Sequence, residues 1–299
     1  MILITGATGP FGKSVIDFLL QQGISSTHIA ALVRNEEKAA DLKKSGVALR
    51  IADYDHYNAL VSAFQGVEKL LFVSGSDIFR RLTQHQHVVN AAKAAGVKHM
   101  VYTSFLGKNE TDASPLWLVA QSHLQTETWL KESGLNYTIL KNTLYLDLIP
   151  AFLGENVLEK ELIWLPAGTG KVAAVLRTEM AEAAAKILTG SDHAGKTYRL
   201  TNQEAFSYEE VAQHLSEITG KTIRYSSPTA DEYAHTLAGL GVPGEFIGLF
   251  SSFAVAQANG ELELVASDLA QLLGRKPTSV QTFLRQVYSA SKKLKIRHR

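Results

Sequence analysis

Residues 2–12 join a short apolar strand pattern to a turn that contains three evenly spaced glycines. The segment has the sequence ILITGATGPFG, and an amphipathic helical pattern follows it directly. In such a strand–turn–helix the first glycine allows a tight turn, the second lets the backbone approach a pyrophosphate, and the third lets the helix pack on the strand. The phosphates then bind the free amides of the first helical turn. The motif predicts a dinucleotide-binding loop formed by Gly6, Ala7, Thr8, Gly9, Pro10, Phe11 and Gly12.

Strand and helix patterns alternate through residues 1–142. The strand patterns are continuous apolar runs, as expected when helices cover both faces of a parallel sheet. They are predicted at Ile2–Thr5, Ile29–Val33, Ala48–Ala52, Leu70–Ser74, Met100–Thr103 and Tyr137–Leu140. Helices are predicted at Lys13–Gln22, Ala59–Phe64, Gln84–Ala95 and Leu116–Lys131. This alternation with short links predicts an α/β fold, a doubly wound parallel sheet of the NAD(P)-binding Rossmann type.

The second half of the chain has a looser pattern. It predicts short strands and one alanine-rich helix at Glu161–Leu165, Val172–Leu176, Thr178–Leu188 (the helix) and Thr197–Leu200. From Ser207 onwards helices dominate, and a capping box between Ser207 and Glu210 opens the first of them. The others are predicted at Asp231–Leu240, Glu245–Ala256, Ala266–Leu273 and Val280–Ser289.

The change of pattern suggests two units. Residues 1–142 are predicted to form the dinucleotide-binding domain, and residues 172–201 to return to it. Residues 143–171 and 202–299 are predicted to form a smaller, mainly helical lobe that closes one side of a cleft.

The composition limits the classes of protein to which this chain can belong. Lys and Arg number 30 against 29 Asp and Glu, a formal net charge of +1, so neither nucleic acid nor an anionic membrane is an indicated partner. Without cysteine the chain has no disulfide or thiol nucleophile. No charged leader precedes the first strand, and no apolar run approaches the roughly 18 residues of a membrane span. A cytoplasmic protein is therefore predicted, with the basic tail Lys292–Arg299 interpreted as a frayed terminus rather than a binding arm.

Arg34 follows the second predicted strand directly. A site specific for NAD usually places an acidic residue here to bind the ribose 2′-hydroxyl, whereas an arginine accommodates a 2′-phosphate. The alternative is an exposed cation at the start of a helix, with Asn35 as the N-cap. We favour the first interpretation, which predicts NADPH (NADP) as the cofactor.

Two further strand ends supply candidate cofactor contacts. Asp53, with Tyr54 beside it, is the predicted partner of the adenine amino group, although an Asp at this point also suits a helix cap. Ser74, Gly75 and Ser76 follow the fourth strand, where small residues let a cofactor pass over the sheet edge. A simple turn would favour the same residues.

Tyr137 and Lys141 have the spacing of the Tyr–Lys pair that common short-chain dehydrogenases carry on a helix. Here the two residues lie in a β-like apolar run. A strand separates such positions by about 13 Å, against about 6 Å along a helix. The lysine could not then lower the tyrosine pKa, so we reject this pair as catalytic.

His123, in the helix before the sixth strand, is the candidate proton donor. An imidazole there could protonate a carbonyl or quinone oxygen because its pKa lies near the working pH. The alternative is a surface histidine on a polar helix. His85 and His87 are two residues apart on a helix and face different directions, so no metal site is predicted.

Several segments together resemble the NmrA-like group of atypical short-chain dehydrogenases. The most specific is VNAAKAAGVK at residues 89–98. The others are MILITGATG at 1–9, VRN at 33–35, ADY at 52–54, QGVEKLL at 65–71, YTS at 102–104 and SGLNYT at 133–138. The resemblance covers most of the chain.

The resemblance implies NADPH across the glycine turn, with Arg34 on the 2′-phosphate and Ser74–Ser76 along the ribose and pyrophosphate. Thr103 and Ser104 of the YTS segment are counted as cofactor-binding residues. The segment Tyr137–Asn142 and the turn from Gly168 to Lys171 would flank the nicotinamide, which adds Tyr137, Asn142, Gly168 and Lys171 to the cofactor site.

The implied reaction is hydride transfer to a quinone or a similar small carbonyl acceptor, which mainly requires placement against the hydride. In related isoflavone-reductase-like enzymes a catalytic lysine lies eleven residues before the Gly of the Gly-x-x-Tyr-Thr segment, and here that position is His123. The departure argues against lysine-type catalysis and favours His123. Asn142 and Tyr145 are candidates to hold the acceptor oxygen, with apolar walls from Phe79, Trp117 and Phe152, each of which also suits an ordinary core.

Two other functions are compatible with the same residues. A regulator that senses NADP(H) would bind the cofactor, change a partner interaction and catalyse nothing. An isomerase or sugar-nucleotide enzyme of the extended short-chain group is disfavoured because the helical Tyr–Lys pair is missing. The sequence leaves a homodimer open.

Overall fold

A seven-stranded parallel sheet forms the centre of the computed structural model, which describes residues 1–289. The basic tail Lys292–Arg299 lies outside the described residues. The strands in chain order are β1 (Ile2–Ile4), β2 (Ile29–Val33), β3 (Ala48–Ile51), β4 (Lys69–Phe72), β5 (His99–Phe105), β6 (Asn136–Asn142), β7 (Leu162–Trp164), β8 (Lys196–Leu200) and β9 (Arg224–Ser226). The main sheet has the order β3-β2-β1-β4-β5-β6-β8, and β7 pairs with β9 in a separate parallel sheet.

Helices connect the strands; some of them cover both faces of the main sheet, and the others belong to the smaller lobe. They are α1 (Pro10–Gln21), α2 (Ala40–Lys44), α3 (Tyr57–Ala63), α4 (Arg81–Ala94), α5 (Trp117–Glu132), α6 (Ile149–Leu153), α7 (Val157–Lys160), α8 (Arg177–Thr189), α9 (Tyr208–Thr219), α10 (Ala230–Gly239), α11 (Gly244–Ala258), α12 (Asp268–Leu273) and α13 (Val280–Tyr288). The predicted doubly wound parallel sheet is confirmed. Among residues 1–289, no helix is both long and apolar enough to span a membrane.

Neighbouring residues of each strand enter different cores because side chains alternate across a sheet. Leu71 packs in the core under α1, α8 and α12, whereas Leu70 packs in the core under α3, α4 and α5. Both faces are therefore dry, which explains why these strands are uninterrupted apolar runs. The predicted return of the chain to the sheet corresponds to β8, which pairs with β6 from Thr138 to Asn142.

A third core holds the smaller lobe together. It is built from α6, α7, β7, α9, β9, α10, α11 and α13, with Tyr208 and Phe283 among its larger side chains. The predicted capping box is present, because Ser207 Oγ accepts from the Glu210 N–H and the Glu210 carboxylate accepts from the Ser207 N–H.

The strand predicted at Val172–Leu176 is wrong. Only isolated bridges form there, from Val172 to Phe206 and from Val175 to Tyr145. The Ala173 N–H donates to a third segment, at Leu262. Because successive residues bond to different partners, this buried apolar run forms no regular ladder.

Candidate active site

The carboxyl ends of β1, β2, β3 and β4 border a cleft of about 390 Å³. The strand order reverses between β1 and β4, which is the point where open α/β sheets bind their ligands. Eight of the predicted cofactor residues line this cleft: Gly6, Thr8, Gly9, Arg34, Asp53, Ser74, Gly75 and Ser76.

The glycine turn has the geometry that its sequence predicts. Gly6 adopts a φ of +58°, and its carbonyl accepts from the Gly9 N–H at 3.0 Å. Pro10 occupies the first turn of α1, where a missing N–H costs nothing. The remaining residues lie beneath the turn, because Ala7, Phe11 and Gly12 are buried against the core.

Arg34 projects into solvent at the end of β2. Its side chain is 81% exposed, and its Nε lies 4.0 Å from Oδ2 of Asp53. An exposed ion pair at this distance is weak, so the guanidinium is free to bind an anion. Asp53 Oδ1 accepts from the Asp55 N–H at 3.1 Å, so one carboxylate oxygen is already used by the loop.

Tyr54 contributes packing rather than a free hydroxyl. Its ring meets Phe72 edge-on at 5.6 Å, and its hydroxyl is hydrogen-bonded to the Thr5 side chain and to the Val73 carbonyl at 2.8 Å. Burial raises the pKa of this phenol. Tyr54 therefore ties the ends of β1 and β4 together under the cleft.

The opposite side of the cleft carries charges that the sequence patterns did not reveal. Arg80 Nη2 lies 2.8 Å from Asp55 Oδ2, and Gln84 Nε2 donates to Asp55 Oδ1 at 3.2 Å. All three residues line the cleft. The sequence could not reveal these contacts, because a charged residue just before a helix looks the same whether it lines a cleft or simply faces solvent.

Thr103 and Ser104 do not line the cleft, and their prediction as direct cofactor ligands is corrected. Thr103 Oγ1 accepts from the Ser74 N–H at 2.9 Å, and Ser104 Oγ donates to Glu127 Oε1 at 2.5 Å. Both hydroxyls are used inside the protein. Thr103 instead supports the Ser74 loop from behind.

The prediction of Tyr137 as a cofactor ligand does not fit its position in the sheet. It is the second residue of β6 and pairs with Met100, near the amino ends of these strands. The cleft lies at the carboxyl ends, about 16 Å further along a strand.

Gly168 and Lys171 make their polar contacts within the smaller lobe. The Gly168 N–H donates to Ser227 Oγ at 3.0 Å, and Lys171 Nζ lies 3.1 Å from Glu210 Oε1. Neither residue lines the cleft, so their contact with a cofactor stays a prediction.

A buried polar network lies beside the cleft and connects α4, β5 and α5. The Tyr102 hydroxyl is 2.8 Å from His123 Nδ1 and 3.4 Å from His85 Nδ1. Arg81 Nη1 lies 3.3 Å from His123 Nε2. The Gly75 N–H, at the cleft itself, donates to His85 Nε2 at 3.0 Å. The network thus joins the loop after β4 to the helix that carries His123.

Both histidines are neutral imidazoles with the proton on Nδ1. A guanidinium and a backbone N–H can only donate, so Nε2 of His123 accepts from Arg81 and Nε2 of His85 accepts from Gly75. Burial and, to a smaller extent, the Arg81 charge together lower the pKa of His85 to about 3. Burial and Arg81 also hold the His123 pKa well below its usual value.

Two expectations for His123 are therefore wrong. It is not a surface histidine, and its pKa does not lie near the working pH, because burial disfavours the charged form. Its Nδ1 proton is directed at Tyr102 and its Nε2 at Arg81. The sequence could not show this burial, since the surrounding groups come from distant segments.

His87 does face away from His85, and its Nδ1 is 3.0 Å from the Tyr54 carbonyl. Across the described chain, from residue 1 to residue 289, no group of three or more His, Asp or Glu side chains is placed to hold a metal ion.

The buried histidines predict an acid-sensitive fold. Since the His85 pKa is about 3 in the folded protein and about 6.5 when unfolded, the unfolded chain binds more protons between these values. The free energy of unfolding should fall below pH 6.5, by up to ~1.4 kcal/mol per pH unit for each such histidine. Urea titrations across this range measure how steeply the free energy of unfolding depends on pH. His85→Gln should reduce this slope by the contribution of about one proton. The exposed His28→Gln serves as the control, and an unchanged slope in His85→Gln would contradict the assignment.

Asn142 is the last residue of β6, and Tyr145 lies three residues beyond it. Asn142 is 3% exposed, and neither Oδ1 nor Nδ2 has a hydrogen bond of good geometry among residues 1–289, although the Tyr145 hydroxyl lies close enough to this amide for it to lower the tyrosine pKa. Buried amide groups are almost always paired, so this side chain is suited to a bound ligand. Tyr145 packs under the Arg177 guanidinium at 5.4 Å, and burial raises its pKa.

An aromatic wall extends from His123 into the smaller lobe. Phe105 lies 6.2 Å from His123 and 6.2 Å from Phe253, and Phe152 lies 6.5 Å from Phe253 and 4.9 Å from Phe250, measured between ring centroids. Phe152 was predicted from the sequence, whereas the other three phenylalanines were missed because their helical and strand positions read as ordinary core.

The two other predicted wall residues differ in burial. Phe79 is 82% exposed and lies outside the buried aromatic wall, and its contact with a substrate stays a prediction. Trp117 is half-buried at the start of α5, the helix that carries His123. Its contact with a substrate stays a prediction.

The sheet topology and the glycine-lined cleft together define an NAD(P)-binding protein of the Rossmann type. The model of the NmrA-like family matches residues 1–284, and the chain belongs to that family. This confirms the resemblance found in the sequence segments.

Similar proteins include quinone oxidoreductase 2 of Escherichia coli, 37% identical over 291 residues, which are 97% of this chain and 100% of that protein. A crystal structure of the E. coli NADPH-dependent quinone oxidoreductase complexed with NADPH matches with a TM-score of 0.88 and 37% identity, covering 96% of this chain and 100% of that one. A structure of Citrobacter sp. triphenylmethane reductase complexed with NADP(H) matches with a TM-score of 0.90 and 37% identity, covering 96% and 99%.

Proposed function

We propose that this protein is an NADPH-dependent oxidoreductase that transfers a hydride to a quinone or a similar small carbonyl acceptor. The observation that carries the proposal is the exposed Arg34 guanidinium at the cleft, beside the glycine turn. The names of the E. coli and Citrobacter relatives support both the cofactor and the redox chemistry.

The residues of the cleft fit this cofactor. Gly6, Thr8 and Gly9 would hold the pyrophosphate at the start of α1, Arg34 the 2′-phosphate and Asp53 the adenine. Residues 1–142 and 172–201 would form the cofactor domain, while residues 143–171 and 202–299 would supply much of the acceptor side.

NADPH supplies the hydride when it is bound, and the chain orients the acceptor. Asn142 would hold an acceptor oxygen with its unpartnered amide, and the wall of Phe105 and Phe253 would support the ring and exclude water. Because burial keeps the His123 imidazole neutral, the final proton would come from solvent.

Asn142→Leu should separate function from stability. Removing a buried amide that lacks a hydrogen bond of good geometry should raise the free energy of unfolding of the cofactor-free protein by about 1–3 kcal/mol. The same change should lower kcat/KM for the acceptor by at least about tenfold, because the acceptor loses its hydrogen bond. Urea unfolding and steady-state NADPH oxidation measure the two effects.

Asn136→Leu is the matched control, since it changes an exposed asparagine at the other end of the same strand. We expect this control to leave kcat/KM unchanged. A loss of stability in Asn142→Leu with unchanged kcat/KM would instead assign Asn142 a structural role.

The sensor alternative would give a different result, namely tight NADPH binding without turnover of any acceptor. A cytoplasmic location, a homodimer and the lack of nucleic-acid or membrane partners stay predictions from the sequence.

A further inference from the structure

Arg81 carries a buried guanidinium that has only neutral partners. Its side chain is 7% exposed. Nε donates to the Gly75 carbonyl at 2.7 Å, and Nη1 lies 3.4 Å from the Val119 carbonyl and 3.3 Å from His123 Nε2. Within residues 1–289 no carboxylate lies in ion-pair distance of this group, and Nη2 donates to none of these residues.

Such an arrangement is costly without a ligand. Removing a cation from water costs several kcal/mol, and protein interiors normally offset this with a paired anion. The Asp77 carboxylate acts on Arg81 only from beyond ion-pair distance. Two carbonyl contacts alone do not require a charge, since a neutral amide could donate to both.

The position of the guanidinium indicates which anion would complete it. Gly75 lines the cofactor cleft, and so do Arg80 and Gln84 on either side of Arg81 in the chain. On its other side Arg81 contacts Val119 and His123 of α5, and the His123 ring lies 6.2 Å from Phe105 of the aromatic wall. Arg81 does not itself line the cleft, and its guanidinium lies behind the Gly75 loop, between the cofactor cleft and the aromatic wall.

We propose that Arg81 is a catalytic residue that stabilises the negative charge formed on the acceptor oxygen during hydride transfer. This inference rests on the proposed function. A quinone that takes a hydride from the dihydronicotinamide gains two electrons and becomes the hydroquinone monoanion, while the cofactor becomes NADP⁺. The anion then takes a proton from solvent. A positive charge that is already fixed beside this oxygen lowers the barrier, because the surroundings need not reorganise as the negative charge forms.

His123 is the positioning residue for this group. Its Nε2 accepts from Nη1 and its Nδ1 is fixed by Tyr102. A protonated imidazole would repel Arg81, so the neutral state forced by burial is the one that the arrangement needs.

Arg81→Met tests the proposal, with Arg50→Met as the matched control. Arg50 also donates to two backbone carbonyls, those of Ala63 and Gln65, but on β3 away from the cleft lining. Arg81→Met should lower kcat with a quinone by about 100- to 1000-fold and leave the Kd for NADPH within about twofold. Arg50→Met should affect stability only.

A binding measurement makes the result independent of turnover. In the NADP⁺ complex, 4-nitrophenol imitates the oxyanion and absorbs visible light only as its anion. Wild type and Arg50→Met should bind the phenolate in preference to the phenol, and Arg81→Met should lose this preference.

Three outcomes would overturn the assignment or redirect it. A phenolate preference that survives in Arg81→Met overturns it. So does a rise in the Kd for NADPH with unchanged kcat, which would assign Arg81 to the cofactor phosphates. If wild type shows an Arg81-dependent phenolate preference but turns over no quinone, the oxyanion site stands and the proposed acceptor is wrong.

Discussion

Arg34→Glu is expected to weaken NADPH binding by about 100-fold, or ~3 kcal/mol. The substitution removes a charge-assisted contact with the 2′-phosphate and places a like charge there. NADH has no such phosphate, so its Kd should change by less than about threefold. Calorimetric titration of both cofactors measures the difference.

Arg224→Glu is the control, because this arginine lies on β9 in the smaller lobe. It should change neither Kd. If Arg34→Glu weakens NADPH and NADH equally, Arg34 does not read the 2′-phosphate.

Gly12→Ala is expected to damage both the fold and the cofactor site. A Cβ at this position would lie 2.5 Å from the Gly6 carbonyl oxygen and 2.8 Å from its carbon. Both are backbone atoms, so α1 or the glycine turn must shift. We expect the free energy of unfolding to fall by about 1–3 kcal/mol and the Kd for NADPH to rise at least about tenfold.

Gly239→Ala is the control for the crowding at Gly12. Gly239 is helical and exposed, with no atom within 4 Å of an added Cβ. This variant should leave cofactor binding unchanged and keep or slightly raise stability. Unchanged NADPH binding in Gly12→Ala would contradict the packing role of the third glycine.

The Rossmann half could be predicted because its elements have local signals. The strand Ile29–Val33 is buried along its whole length, so its apolar run and the observed strand coincide. Val172–Leu176 has an equally apolar run but bonds to several segments. Periodicity shows that a segment is buried and cannot show which partners it finds, so the smaller lobe was less predictable.

The candidate site also contains a part that the local sequence predicts and a part that it does not. Arg34 and the glycine turn were found because strand, turn and helix are adjacent in the chain. The Arg81 network was missed because its members come from α4, β5 and α5. The pKa of His123 was predicted wrongly for the same reason, because only the folded surroundings bury this side chain and place it beside the Arg81 cation.

The most direct test of the central claim is NADPH oxidation by the purified protein with a panel of quinones, measured together with NADPH binding. We predict NADPH binding tighter than NADH binding, and quinone-dependent oxidation of NADPH that saturates with acceptor. Tight NADPH binding without oxidation by any quinone would contradict the proposed reaction and favour a sensor of NADP(H).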